Sequence, residues 1–313
     1  MKKLIILLML LSVGVYAQQY ELPRTNPGDE IVRHPNYTLK YNEQYEQPDW
    51  VAYRITRDTV RGTAKRPSGF KSDPLVPTKS ADNSDYTNSG YDRGHLCPSA
   101  DFRADQKLLN ETFIMSNITP MLHDFNAGDW GDVEDHERKW AMQNGELFIC
   151  TGPILKDGPS EFIGKKSKVG VAKRFYKVIL DNQEPELKMI AFIVPHREGL
   201  EDISIYAVTV REAERITGFD FFPALPDDIE QKLETELDLR KWGLNPNAKP
   251  IEQNRHAIDT TADAKPTQAA PKPIQKPGMS EDQILIYVLV GAGVAMVILG
   301  IVIFVGVRMN RRK

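Results

Sequence analysis

A long, uncharged and almost wholly aliphatic run near the C-terminus, residues 284–307, most constrains how this 313-residue chain can be organised. At about 1.5 Å per residue, a helix of this length spans a hydrocarbon core of roughly 30 Å. No face of the run is polar, which argues against a buried core helix. Basic residues follow it at once, and such residues stay cytoplasmic: Arg308, Arg311, Arg312 and Lys313. The sequence therefore predicts one transmembrane helix at 284–307 and a cytoplasmic tail at 308–313.

The N-terminus predicts the same orientation independently. Two lysines, Lys2 and Lys3, precede a short apolar run that ends in Val15-Tyr16-Ala17. This order is typical of a secretory signal peptide, here residues 1–17. An uncleaved anchor is the weaker alternative because the apolar run is too short to cross a bilayer comfortably. We therefore expect a single-pass protein of the cell membrane whose main domain is exported to the periplasmic or extracellular side.

A proline-rich stretch, residues 244–283, separates the remaining chain from the predicted transmembrane helix. It has too few apolar side chains to form a core, and its prolines favour extended backbone. We expect a flexible tether there. Residues 18–243 are then left as one folded domain.

Within that domain, four runs have strand character because they are rich in β-branched and aromatic residues: 49–56, 147–151, 175–180 and 188–194. A capping box of Thr209 and Glu212 predicts a helix that ends near Gly218. A second helix is expected from Asp129 to Gln143, stopped by Asn144 and Gly145. Helices and strands do not alternate regularly, which favours an α+β fold over a doubly wound sheet.

The net charge and the cysteine content exclude few classes of function. The net charge of −3 gives no global attraction to a polyanion, so any nucleic-acid interaction must depend on local charge. Cys97 and Cys150 could form a disulfide in an exported domain, but the sequence does not show that they meet. No CxxC pair is present, which makes a zinc site unlikely on composition.

The segment from Arg54 to Lys71, the basic segment, is locally basic and contains a single acidic residue, Asp58. Such a loop suits a phosphate backbone, although a solvated surface loop fits the composition equally well. Its cations are Arg54, Arg57, Arg61, Lys65, Arg66 and Lys71.

The second predicted helix and the segment before it carry residues whose side chains could take part in catalysis. Glu134 and Arg138 are four positions apart and share one helix face with Trp130. Asn126 precedes Gly128 and is expected in the turn that enters the helix, since an unbroken helix would separate Asn126 from Arg138 by about 18 Å. These residues therefore cannot all bind one ion directly.

His95 adds a group that exchanges protons near neutral pH. A neutral imidazole can activate water, an Asn carbonyl suits Mg²⁺, and arginines bind phosphate oxygens. Together they would serve a one-metal phosphodiesterase reaction. By itself, however, a lone histidine is more often a packed or hydrogen-bonded residue.

Four sequence blocks resemble a known family in order and spacing: DRGH (92–95), SNITP (116–120), FNAGDW (125–130) and EDHER (134–138). They are similar to those of the DNA/RNA non-specific endonuclease family, and the similarity extends from IVRHPNYTL at Ile31 to about Asp227. The resemblance implies a ββα-metal (His-Me finger) nuclease fold with a mixed, mainly antiparallel sheet.

The resemblance also implies residue roles. His95 matches the general base, Asn117 the residue that positions it, and Asn126 the single direct protein ligand of Mg²⁺ or Mn²⁺. Glu134 matches the residue that orients water around the ion. The expected phosphate contacts are Arg138, the motif arginine Arg93 and Arg66 of the basic loop. Products with 5′-phosphates are implied.

The leading hypothesis is thus a metal-dependent endonuclease that cleaves DNA and RNA on the outer side of a membrane. Two alternatives stay open: a phosphodiesterase for small phosphate esters, and a membrane-bound DNA receptor or uptake nuclease. Expected partners are the nucleic-acid substrate and, through residues 284–307, the membrane. A homodimer is possible, and the sequence does not allow any other protein partner to be predicted.

Overall fold

The computed structural model describes residues 19–183, 186–197 and 201–251, which all belong to one compact unit. The predicted signal peptide and transmembrane helix lie outside these residues, as do the cytoplasmic tail and most of the tether. Among the helices that the structure does describe, none has both the length and the apolar character needed to cross a bilayer.

A seven-stranded sheet forms the centre of the domain, in the order β1-β2-β3-β6-β9-β10-β11. Every strand pairing in the described residues is antiparallel, so the expectation of a mixed sheet is wrong; only an isolated bridge between Lys71 and Ile114 is parallel. Two further pairs, β4-β5 and β7-β8, lie apart from this sheet. The strands are β1 (Glu30–Arg33), β2 (Tyr37–Asn42), β3 (Gln47–Thr56), β4 (Asp92–His95), β5 (Ile118–Met121), β6 (Glu146–Pro153), β7 (Glu161–Ile163), β8 (Val169–Val171), β9 (Arg174–Asp181), β10 (Lys188–Pro195) and β11 (Ala207–Val208).

Seven α-helices and four short 3₁₀ turns complete the described part of the chain. The helices are α1 (Arg57–Val60), α2 (Asn83–Tyr86), α3 (Gln106–Glu111), α4 (His123–Ala127), α5 (Asp129–Asn144), α6 (Val210–Thr217) and α7 (Asp227–Thr235). The 3₁₀ turns are Ser99–Phe102, Met115–Asn117, Ile203–Tyr206 and Leu239–Trp242.

Side chains of the central sheet alternate between two cores because successive residues of a strand point to opposite faces. In β3, Val51 and Tyr53 enter a first core with Trp130 of α5. Trp50 and Ala52 enter a second core, which α6 and α7 cover from the other face. The β4-β5 pair and α5 therefore lie on the first face, opposite α6 and α7.

The four predicted strands are present as β3, β6, β9 and β10, each one to three residues longer than expected. Thr209 is the N-cap of helix α6, and its hydroxyl accepts a hydrogen bond from the Glu212 amide. The reciprocal half of the predicted capping box is absent, because the Glu212 carboxylate binds Arg215 instead. Gly218 ends the helix with φ of +81°, a left-handed conformation that favours glycine.

The folded domain also continues past residue 243, where the tether was expected to begin. Leu244 is buried in the first core, and Ile251 packs on the same core while its amide donates to the Ile205 carbonyl. The predicted start of the tether is therefore too early, since composition does not show that these two apolar side chains find a place in the core.

The two cysteines are free and buried. Cys97 belongs to the first core and Cys150 to the second, so the central sheet separates them. This arrangement resolves the question that the sequence left open: the two residues are not paired.

Candidate active site

His95 ends strand β4, where it pairs with Ile118 of β5. Its ring packs between Phe70 and Phe113, with ring centres 5.5 and 4.7 Å away, and only 9% of the residue is exposed. The Nε2 atom is buried and has no hydrogen-bond partner among the described residues. Burial, with a smaller contribution from the positive charge of Arg66, lowers the pKa of His95 to about 3. The imidazole is thus neutral at physiological pH, and Nε2 is free to accept a proton.

Asn117 holds the backbone that leaves β4. It is fully buried, and its carboxamide oxygen accepts from the Cys97 amide at 2.8 Å. Its Nδ2 donates to the carbonyls of Cys97 and Thr112, both at 2.9 Å. Because Cys97 lies two residues after His95, Asn117 fixes the backbone that follows the imidazole.

Asn126 lies on the short helix α4, which Gly128 separates from α5. Its Nδ2 donates to Oδ2 of Asp92 at 3.1 Å. The same carboxylate oxygen lies 2.9 Å from Nδ1 of the exposed His123. Since the nitrogen of the Asn126 carboxamide is held by Asp92, its oxygen remains as the atom that can bind a cation.

Further contacts hold the start of α4 against the segments around Ala172 and His196, and α5 against the strand that carries His95. The Leu122 amide, just before α4, donates to Nε2 of His196 at 2.7 Å, and Nδ1 of His196 bonds the Ala172 carbonyl at 2.8 Å. Trp130 of α5 donates from Nε1 to the His95 carbonyl at 3.4 Å. Asp92, which holds Asn126, lies three residues before His95 on β4, about 10 Å along the strand. The start of α4 is therefore attached to the strand that carries the imidazole.

Glu134 and Arg138 lie on successive turns of α5, with 4.0 Å between Oε2 and Nη1. Burial raises the pKa of Glu134 to about 7, and the positive charge of Lys177 opposes this rise. Arg138 also binds Oδ1 of the buried Asp101 at 3.0 Å and contacts the exposed Asp135. In this arrangement, carboxylates hold the Arg138 guanidinium. A phosphate that approached it would compete with the exposed Asp135 for the same donors.

A buried charge network supports this face of α5 from beneath. Lys177 of β9 is fully buried and lies 2.7 Å from Oε2 of Glu137 and 3.0 Å from the Tyr53 hydroxyl. The Tyr53 hydroxyl donates to Glu137 at 3.1 Å. The Lys177 ammonium also lies 5.0 Å from the centre of the Trp130 ring. The network ties the helix that carries Glu134 and Arg138 to the central sheet.

The two other predicted phosphate contacts flank His95. Arg66 is exposed, and its guanidinium lies over the Phe113 ring at 5.2 Å. Arg93 is held by α2, since its Nη2 donates to the Asn83 carbonyl at 2.7 Å and to Thr87 at 3.2 Å. Its Nε is buried without a hydrogen-bond partner in the described chain. Arg66 is thus freer to meet a phosphate than Arg93.

The structure separates the cations of the basic segment into two groups. Arg54 pairs with Glu146, and Arg57 donates to the carbonyls of Met142 and Gln143 at the end of α5. These two cations stabilise the fold and do not belong to the site. Arg61, Lys65, Arg66 and Lys71 remain exposed.

Three residues of the site were not assigned a chemical role from sequence: Asp92, Asp101 and His196. Asp92 lies inside the DRGH block and accepts the hydrogen bond that orients Asn126. Burial, and then the nearby charge of Glu137, raise the pKa of Asp101 well above its usual range. No local pattern marks Asp101 or His196, because their partners are distant in sequence.

A two-stranded antiparallel pair is followed by helices, with His95 on the first strand and Asn126 and Glu134 on α4 and α5, and these groups form a candidate hydrolytic site. Comparison with known proteins agrees. The family model described as DNA/RNA non-specific endonuclease matches residues 18–228, and the chain belongs to this family of hydrolytic nucleases.

Relatives and one solved structure support this membership. The mitochondrial nuclease EXOG of Danio rerio is 34% identical over 254 residues, which are 74% of this chain and 73% of that protein. The nuclease of Serratia marcescens is 33% identical over 217 residues, 66% of this chain and 79% of its own length. A crystal structure of the EndoG/EndoGI complex, described in terms of the mechanism of EndoG inhibition, contains a similar fold. Its TM-score is 0.61 at 30% identity, covering 67% of this chain and 91% of that chain. The family resemblance seen in the sequence is confirmed.

Proposed function

We propose that this protein is a Mg²⁺- or Mn²⁺-dependent endonuclease that hydrolyses phosphodiester bonds of DNA and RNA and leaves 5′-phosphates. The observation that carries the proposal is a buried, neutral His95 whose Nε2 has no hydrogen-bond partner among the described residues, together with an Asn126 carboxamide whose nitrogen is held by Asp92. The first group can accept a proton, and the second can bind a hard cation.

The residues present fit such a cation. Mg²⁺ prefers oxygen ligands and keeps most of its water, so it needs few groups from the protein. Asn126 would hold it directly, and the carboxylate of Glu134, with 16% of its side chain exposed, would hold its water ligands. When bound, the cation supplies positive charge that stabilises the phosphate and its leaving oxygen in the transition state.

The protein's own groups divide the remaining work. His95 Nε2 takes the proton of the attacking water, and its aromatic surroundings exclude other solvent. Arg66 provides the exposed positive charge nearest to the imidazole. A phosphate bound there would offset the effect of Arg66 on His95, and the imidazole would become more basic when substrate is present.

The proposal extends to location. The predicted signal peptide and transmembrane helix would keep the nuclease domain on the outer side of a membrane, away from the cell's own nucleic acid. The tether, shortened at its start because Leu244 and Ile251 pack on the core, would let the domain reach substrate beyond the bilayer.

Digestion of supercoiled plasmid and of RNA by the full-length chain, with Mg²⁺ or with EDTA, tests this function. We expect cleavage of both polymers with Mg²⁺ only. His95→Ala should lower kcat by about 10²–10⁴-fold while the protein stays folded. Cleavage of small phosphate diesters without cleavage of either polymer would replace the proposal with the small-ester phosphodiesterase. Binding of DNA without any cleavage would favour the receptor.

A further inference from the structure

Two segments that are distant in sequence lie side by side next to the site. The Ala64 amide donates to the Arg103 carbonyl at 3.0 Å. The Gln106 side chain bonds the Lys65 backbone twice, accepting from its amide at 3.0 Å and donating to its carbonyl at 2.8 Å. Gly62 makes the approach possible, because a Cβ at this position would lie 1.9 Å from the Arg103 carbonyl oxygen. The juxtaposition is thus fixed by backbone contacts.

These contacts bring together three exposed cations, Arg61, Lys65 and Arg103, which we call the outer basic patch. They line a surface cavity of ≈ 530 Å³ whose lining contains no acidic residue. In the part of the chain that the structure describes, no carboxylate lies within ion-pair distance of any of the three. The acidic residues nearest in sequence are Asp58 on α1, Asp105, whose carboxylate caps α3, and the buried Asp101, whose carboxylate binds Arg138. The patch therefore has positive charge that the fold does not neutralise.

The patch is continuous with the active site through Arg66, the residue after Lys65. The Arg66 guanidinium lies 5.2 Å from the centre of the Phe113 ring, which lies 4.7 Å from the centre of the His95 ring. The guanidinium is therefore within about 10 Å of the imidazole, the sum of the two distances. A nucleic-acid strand bound at His95 and Arg66 would continue onto the outer basic patch. Each strand of a duplex carries one negative charge per roughly 3.4 Å, so several phosphates would meet the patch.

We propose that the outer basic patch binds the phosphate backbone of DNA on one side of the cleaved bond. This inference rests on the proposed function and adds a binding site for the flanking strand. Arg103 is essential to it, because it comes from outside the basic segment of the sequence and completes the cluster. Contacts to phosphates alone carry no base preference, so the patch adds affinity for long substrates of any sequence.

The salt dependence of DNA binding tests the patch. Affinity of the full-length chain for a fluorescent 30-base-pair duplex is measured by anisotropy in EDTA, between 50 and 200 mM NaCl. Arg61→Gln/Arg103→Gln removes two phosphate contacts, which should make the slope of log affinity against log salt shallower by about 1.8. The wild type should then lose about tenfold more affinity across this range than the variant.

Lys156→Gln/Lys232→Gln is the matched control, since it removes the same charge from exposed residues on the side of α6 and α7. It should keep the wild-type slope. If the double arginine variant does not fold, Lys65→Gln should shift the slope by about 0.9. Equal slopes for the patch variants and the control would refute the proposal that the outer basic patch binds DNA, even if the wild type cleaves plasmid with Mg²⁺. Failure of the wild type to cleave plasmid would instead refute the proposed function.

Discussion

Asn117→Ala should be among the most damaging single substitutions in this protein, because the carboxamide satisfies three buried backbone groups. Its removal leaves the Cys97 amide and the carbonyls of Cys97 and Thr112 without partners in a fully buried place. Each unsatisfied buried group costs about 1–3 kcal/mol. Three groups at the lower figure give about 3 kcal/mol, and since losses above about 5 kcal/mol are exceptional, we expect a loss of about 3–5 kcal/mol in the free energy of unfolding.

The same change should release the backbone that follows His95. A displacement of the imidazole by about 1 Å can cost about 10²-fold in rate, so kcat should fall by at least that factor in the variant that remains folded. Urea unfolding followed by tryptophan fluorescence measures the stability, and plasmid cleavage at low urea measures kcat. Asn110→Ala, which removes an exposed side chain that accepts a hydrogen bond from Gln106, is the control and should change stability by less than about 0.5 kcal/mol. A loss below 1 kcal/mol for Asn117→Ala would refute the role of Asn117 as a clamp.

Other perturbations should separate metal binding, thiol chemistry and fold stability. Asp92→Ala should raise the Mg²⁺ concentration for half-maximal cleavage by about 10–100-fold, because Asn126 loses the group that orients it; an unchanged Mg²⁺ titration would contradict this. Iodoacetamide at neutral pH should label neither Cys97 nor Cys150 in the native protein and both in denaturant, as intact mass can show, since burial raises the pKa of both thiols. Thr209→Ala should lower the free energy of unfolding by about 1 kcal/mol through the lost cap but leave cleavage unchanged, because α6 lies on the opposite face of the sheet; reduced kcat in that variant would link the two faces.

Much of the secondary structure follows from local patterns. Strands β3, β6, β9 and β10 are apolar and rich in β-branched residues, and α6 begins and ends at its own Thr209 and Gly218. Such signals are contained in a few consecutive residues, so they are readable without the fold. The short strands are different: β4 is the tetrapeptide DRGH, and its strand conformation depends on pairing with β5 more than twenty residues later.

The candidate residues of the site could also be proposed from sequence, since His95, Asn126, Glu134 and Arg138 occur in motifs whose order and spacing are specific. Tertiary structure alone decided which partner each of them has. Asp92 takes the nitrogen of Asn126, Asp101 restrains Arg138, and Arg103 joins the cations of a segment about forty residues earlier. Hydrogen bonds and ion pairs form between groups that folding brings within about 3 Å. Sequence specifies the groups, but only the packed chain sets those distances.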